Sequence, residues 1–196
     1  MTIEEIAPRL WWWSAPHPEW KQVVSSYAMV ADDAFVLFDP LVPEDLWEAL
    51  DGDVRHHGPP AILITVHFHI RSSRAIVERY DGSTVWGHEP ALTKVRRRVG
   101  ETKSFEEGDE LPGAVEAVAM HHMDEAAFWL PSHEALVLGD SVVGTDERAE
   151  LSPPSWLRKR ETVDEQRASV QRALERGPKR LLLTHGGPID PAALEL

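Results

Sequence analysis

Ala61-Ile62-Leu63-Ile64-Thr65-Val66-His67-Phe68-His69-Ile70-Arg71-Ser72 sets an apolar run directly against a histidine-rich segment. Four consecutive aliphatic residues of this kind read as a short strand buried on both faces. If the chain stays extended beyond the strand, residues two apart point the same way, and His67 and His69 converge on one ion. A His-x-His pair in isolation is more often incidental. Three further predicted strands, however, end in metal-competent residues. Residues 114–120 lead to His121-His122, Leu136-Val137-Leu138-Gly139 leads to Asp140, and Leu181-Leu182-Leu183-Thr184 leads to His185. Neutral imidazoles with a carboxylate suit Zn²⁺, or Fe²⁺ where two His and one carboxylate share a face.

Working outward, residues 26–38 read as two strands around Asp32-Asp33, and Asp39-Pro40 closes the second. Residues 43–50 predict a short helix, 72–80 another and 90–99 a third, the last with Pro90 in its first turn. Residues 84–86, 114–120, 126–130 and 135–138 read as strands. Thr162-Val163-Asp164-Glu165 is a capping box opening a helix to Glu175, and a last buried strand covers 180–184. Strands in two blocks with helices between and after them suit two packed sheets with helices outside. Residues 141–160 form the one long segment without periodicity, and a loop of that length in a compact domain is usually functional or mobile.

The chain has 196 residues, 33 acidic against 20 basic, a net charge of −13 and no cysteine. The length predicts one domain over 1–196. Disulfides, thiolate zinc sites and a cysteine nucleophile are excluded together. Residues 1–10 carry Glu4 and Glu5 and no apolar run, so neither a signal peptide nor a membrane span is expected, and the expected location is the cytoplasm. An acidic surface repels nucleic acid and anionic membranes, which leaves a small-molecule substrate as the expected partner. The basic run Lys94-Val95-Arg96-Arg97-Arg98 reads as a solvated helix face.

The order and spacing of these segments resemble the metallo-β-lactamase superfamily, whose signature T-H-x-H-x-D-H follows a buried strand. Residues 65–72 occupy that signature, with Val66 between Thr65 and His67. His121-His122-Met123-Asp124-Glu125-Ala126-Ala127-Phe128-Trp129-Leu130-Pro131 is similar to the family's H-T-P-G-E-T-A-L-Y-L-P segment. Leu138-Gly139-Asp140 resembles the strand end with the bridging aspartate, and Thr184-His185-Gly186-Gly187-Pro188 the one with the final histidine. Phe38-Asp39-Pro40 resembles the early L-I-D-P strand end. The resemblance implies an α/β chain, an αββα sandwich of two mixed β-sheets with helices on the outer faces.

It also implies a metal-dependent hydrolase. Carried over residue by residue, the first metal site is His67, His69, His121 and Asp140. The second keeps only Asp140 and His185, because Arg71 and Ser72 stand where the family has Asp and His. One ion per chain is therefore expected, zinc or else iron. Asp140 would be a fourth ligand or a water-orienting base, and His185 would bind substrate or shuttle a proton. Arg71 would either pair with Asp140 or a surface acid, or act as a fixed cation that replaces some of the missing metal's charge and grips an anionic group. The substrate would be a small ester, thioester or other anionic metabolite. Two other readings stand beside it: a non-haem iron oxygenase of the persulfide dioxygenase type using His67, His121 and Asp140, and a non-catalytic binding module on a degenerate site.

The remaining candidates have plainer readings. His122 reads as a neighbour of the ligand His121, His88 as structural or exposed, and His56, His57 and His133 as loop residues. Trp11-Trp12-Trp13 reads as strand and core, with the loop of His17 and Trp20 as a pocket wall. Trp156, beside two prolines in the long loop, is the stronger wall candidate. Asp39 reads as an ordinary turn residue.

Overall fold

Alternation within single strands shows how the layers form. In the strand Phe35–Phe38, Phe35 and Leu37 join one apolar cluster while Val36 and Phe38 join another. In Ala135–Leu138, Ala135 and Val137 face the same inner cluster as Phe38, while Leu136 and Leu138 face a third. Residues buried on both sides need a layer on each side, and the chain supplies four layers. The computed structural model describes residues 3–122, 124–145 and 147–196; Met123 of the histidine segment and Asp146 of the long loop lie outside them.

The first sheet runs in sequence order: β1 (Glu4–Ala7), β2 (Leu10–Pro16), β3 (Val23–Val30), β4 (Phe35–Phe38), β5 (Ala61–Ile64), β6 (Thr84–His88) and β7 (Lys103–Phe105). Pairing is antiparallel from β1 to β4 and parallel from β4 to β7. The helices that make those parallel crossovers, α1 (Trp47–His57), α2 (Ser73–Arg79) and α3 (Leu92–Val99), cover its outer face through Leu50, Ile76 and Val95.

The second sheet contains β8 (Glu110–Leu111), β9 (Val115–Ala119), β10 (Ala126–Leu130) and β11 (Ala135–Leu138). Next in the chain come β12 (Val142–Gly144) and β13 (Ala149–Leu151), which pair with each other. Beyond α4 (Val163–Leu174), β14 (Arg180–Leu183) and β15 (Gly187–Ile189) complete the second sheet, with β14 parallel to β11. The terminal β16 (Leu194–Glu195) joins β12 and β13 in a small third sheet. Helix α4 covers the outer face of the second sheet through Val170 and Ala173. The αββα sandwich of mixed sheets is therefore the observed fold.

Two differences from the sequence reading have simple causes. Helix α1 runs on to His57 instead of stopping at Leu50. The apolar periodicity fades there, but Val54 still packs on the cluster, Arg79 and Tyr80 both bond Asp51, and Gly58 ends the helix at φ 87°. The long segment 141–160 holds β12 and β13, strands of three residues and too short to show alternation.

Helix α4 starts on the expected box, with Glu165 N–H donating to Thr162 Oγ1 at 3.2 Å and Thr162 N–H to Glu165 Oε2 at 3.1 Å. One turn on, Gln166 Nε2 donates to Ser141 O at 3.0 Å and Ser152 Oγ at 2.8 Å, tying the helix to the segment that follows Asp140. Thr162→Ala should cost about 1 kcal/mol, read as a lower urea midpoint at unchanged slope. An unaltered midpoint would mean that the box adds nothing to the packed helix.

Candidate metal centre

Parallel neighbours end on the same edge of a sheet, so β4 and β5 deliver Asp39 and Thr65 side by side. Asp39 is fully buried and holds a left-handed backbone at φ 44°. Its carboxylate accepts from Thr65 N–H at 2.9 Å, Thr65 Oγ1 at 2.5 Å and His69 Nδ1 at 2.8 Å. With Nδ1–H donated to Asp39, His69 presents Nε2 as its free ligand atom.

Beyond Ile64 the chain does not remain extended. It coils through turns, with His69 N–H donating to Val66 O at 2.8 Å and Ser73 N–H to Ile70 O at 2.8 Å. His67 and His69 consequently leave the chain on different sides. His69 turns inward. His67 packs on Phe68, ring centroids 4.0 Å apart, with Nδ1 buried and unpartnered. Burial first, then the cations Lys94 and Arg158, push its pKa down to about 4.

The second sheet repeats the arrangement. Parallel β11 and β14 end in Asp140 and His185. Asp140 Oδ1 lies 3.0 Å from His69 Nε2 and 3.1 Å from His185 Nε2, and the two Nε2 atoms are 3.2 Å apart. The three residues are buried and form the one candidate metal-holding group among the described residues. Donors around a four-coordinate zinc at roughly 2.1 Å stand about 3.4 Å apart. A small outward shift would seat an ion, and two imidazoles with a carboxylate are a fitting donor set.

The charges are tightly coupled. Burial alone would raise the Asp140 pKa, but the imidazoles of His69 and His185 hold it well below the usual carboxylate range. Burial would lower His69, yet Asp140 and Asp39 outweigh burial and Arg71, raising it to about 9. His185 is lowered, by burial first.

Glu125 was not singled out in the sequence. It is fully buried and accepts from Gly139 N–H at 2.9 Å, Ser141 N–H at 2.8 Å and Ser141 Oγ at 2.9 Å, strapping both sides of Asp140. Burial and then the Asp140 charge push its pKa up to about 8. Gly139 fits between these anchors: a Cβ there would sit 2.7 Å from Thr65 Oγ1 and 3.1 Å from Glu125 Cδ. The sequence signals for Glu125 were an acid at the mouth of an apolar strand and its match to the E of the family's H-T-P-G-E-T segment. For Asp39 it was the strand-end Asp-Pro.

The remaining candidates lie apart from the three donors. His121 is partly exposed beside Glu165 at 3.3 Å, whereas His122 is fully buried, Nδ1 3.0 Å from Glu161 and Nε2 without a partner. Between those two neighbours, the buried one is thus not the one that the family register selects. Arg71 sits at φ 45° and donates through Nη1 to Ser25 O at 2.6 Å and Asp39 O at 2.7 Å. Its Nε and Nη2 are buried without partners, so the guanidinium lies beneath the site, in electrostatic contact with Asp39 and Asp140 but not hydrogen-bonded to Asp140.

Two cavities of about 270 and 690 Å³ adjoin the donors and share Gln22, Trp156 and His185 as walls. Trp156 stands edge-on to His185, centroids 5.5 Å apart, and Val143, Thr145 and Pro153 of the long segment line the larger cavity. Trp20, stacked on His17 at 3.9 Å, walls the smaller one together with Asp140. Both loops expected to form walls do so.

Two substitutions test this geometry. Asp39→Asn removes the charge and replaces one of the two accepting oxygens by an NH2 donor, so the hold on His69 Nδ1–H weakens and metal affinity should fall about 10- to 100-fold by competition with a chromophoric chelator. Unchanged affinity would show that the ring needs no such anchor. Gly139→Ala forces Thr65 or Glu125 to shift and should cost about 1–3 kcal/mol in urea unfolding, whereas a neutral effect would contradict the close packing.

No family model matches the sequence, and no curated protein matches it. Solved structures do. DIM-1 metallo-β-lactamase aligns over 98% of this chain and 92% of its own, at 17% identity and a TM-score of 0.74. A metallo-β-lactamase from Pontibacter korlensis aligns over 98% and 94%, at 17% identity and 0.74. A metallo-beta-lactamase family protein from Thermus thermophilus aligns over 95% and 76%, at 20% identity and 0.66. Sequence identities this low speak for architecture alone, and on that architecture the chain has the metallo-β-lactamase fold.

Proposed function

We propose that the protein is a metal-dependent hydrolase whose single ion is held by His69 Nε2, His185 Nε2 and Asp140 Oδ1. The observation that carries the reading is the mutual 3.0–3.2 Å approach of those three atoms beside a cavity. An ion at that point supplies Lewis acidity to a carbonyl or phosphoryl oxygen and lowers the pKa of a bound water. Asp39 fixes the His69 ring, and Glu125 fixes the backbone on either side of Asp140. Asp140 would help hold the ion and orient the attacking water beside it. Trp20 and Trp156 screen the reacting atoms from bulk water. Arg71 places a fixed positive charge beneath the site, close enough to act on Asp39 and Asp140, which disfavours a second divalent ion.

Two imidazoles and one carboxylate also form the set used by non-haem Fe²⁺ oxygenases, so the donor chemistry supports iron as a second reading, now with His69 and His185 as the imidazoles. Metal identity separates the two readings. Elemental analysis of protein purified without added metal should find about one ion per chain, zinc for a hydrolase and iron for an oxygenase. His69→Ala and His185→Ala should each lower occupancy to near zero while circular dichroism shows a folded chain, and His121→Ala should retain the ion. Two tightly bound ions per chain, or full occupancy in His69→Ala, would overturn the assignment.

A further inference from the structure

We infer that the groove beside the three donors selects uncharged aromatic or apolar molecules over carboxylate-bearing ones. Calling that molecule a substrate rests on the hydrolase reading; the binding preference does not.

Three observations converge. Among the described residues three large hydrophobic side chains are exposed, and two of them, Val23 at 62% and Phe68 at 38%, line this groove. Exposed apolar groups gathered at a cavity mouth mark a binding surface, whereas scattered ones need no explanation. Indole rings make up the walls: Trp12 is pinned by Nε1 donating to Ser25 Oγ at 2.9 Å, Trp20 by stacking on His17, and Trp156 by its edge-on contact with His185. Such walls bury flat apolar groups at little conformational cost.

The charges point the same way. Among the described residues no lysine or arginine lines either cavity, and the nearby guanidinium of Arg71 is engaged by the carbonyls of Ser25 and Asp39 with its other nitrogens buried. Beyond the donors Asp140 and His185, the polar side chains on the walls are those of Ser14, Gln22, Ser25 and Thr145, which can hold a carbonyl or an amide but not neutralise a carboxylate. A net charge of −13 adds a field that repels anions on approach. Away from an ion on the three donors, a desolvated carboxylate against these walls would meet no lysine or arginine side chain and bind weakly.

The test uses two dyes with one ring skeleton, N-phenyl-1-naphthylamine and 8-anilinonaphthalene-1-sulfonate, titrated into the protein as purified and followed by fluorescence. The neutral dye should bind at least about tenfold tighter than the sulfonate. Trp156→Ala should weaken it by about tenfold and Trp156→Phe should restore most of the affinity, which places the dye in this groove and not in the separate apolar cavity by Trp11 and Trp13. Val23→Lys, at a highly exposed position, should raise affinity for the sulfonate alone. Equal or tighter sulfonate binding by the unaltered protein, or neutral-dye binding indifferent to Trp156→Ala, would overturn the inference. Phenyl acetate and 4-acetoxybenzoate form the matched pair for turnover. Hydrolysis of neither, with the dye preference intact, would remove the hydrolase reading and leave this one standing.

Discussion

The carboxylate of Asp39 joins three things that the chain makes separately: the end of β4, the end of β5 and the ring of His69. Burying an acid completely is costly unless every lone pair is used, and here three donors use them. The return is geometric. The turn after β5 is fixed at its first residue through Thr65, and the imidazole four residues on is fixed by Nδ1. Glu125 does the corresponding work in the second sheet, holding Gly139 and Ser141 so that Asp140 between them has little freedom. Neither acid belongs to the candidate donor set, yet each holds a member of it.

Because the donors come from both sheets, their convergence also depends on how the sheets stack. Direct bonds hold that stacking at the site end of the sandwich. Ala126 N–H donates to Thr65 O at 2.9 Å, Ser25 N–H to Thr184 O at 2.9 Å, and the buried Tyr27 hydroxyl to Leu183 O at 2.7 Å. Each bond runs from one sheet to a strand end of the other, next to a residue that bears a donor or its anchor. The inner apolar cluster fixes the separation of the sheets, and these polar ties fix their sliding.

This division explains what the sequence disclosed. Unbroken apolar runs made the central strands readable, and the polar residues that follow two of them, Asp140 and His185, could be named with them. His67 stands outside the group formed by His69, Asp140 and His185. The period-two argument holds only while the chain is extended, and the chain bends and turns from Thr65 onward. Asp39 and Glu125 were opaque for a different reason. A lone acid after a strand looks the same whether it faces water or collects three donors, and only tertiary contacts tell those cases apart. His121 and His122 are adjacent, the first exposed and the second buried, a difference that one residue of slip would exchange and that only tertiary contacts display.

Arg71 sets a cation among the acids that surround the candidate donors. The buried acids around the donors are Asp39, Asp140 and Glu125, and the buried cation is Arg71. Arg71 also holds the carbonyls of Ser25 and Asp39, so its charge is anchored to the two strands nearest the site and cannot swing away. Arg71 therefore does structural and electrostatic work at once: it ties β3 to the end of β4 and sets its positive charge where Asp39 and Asp140 act on it.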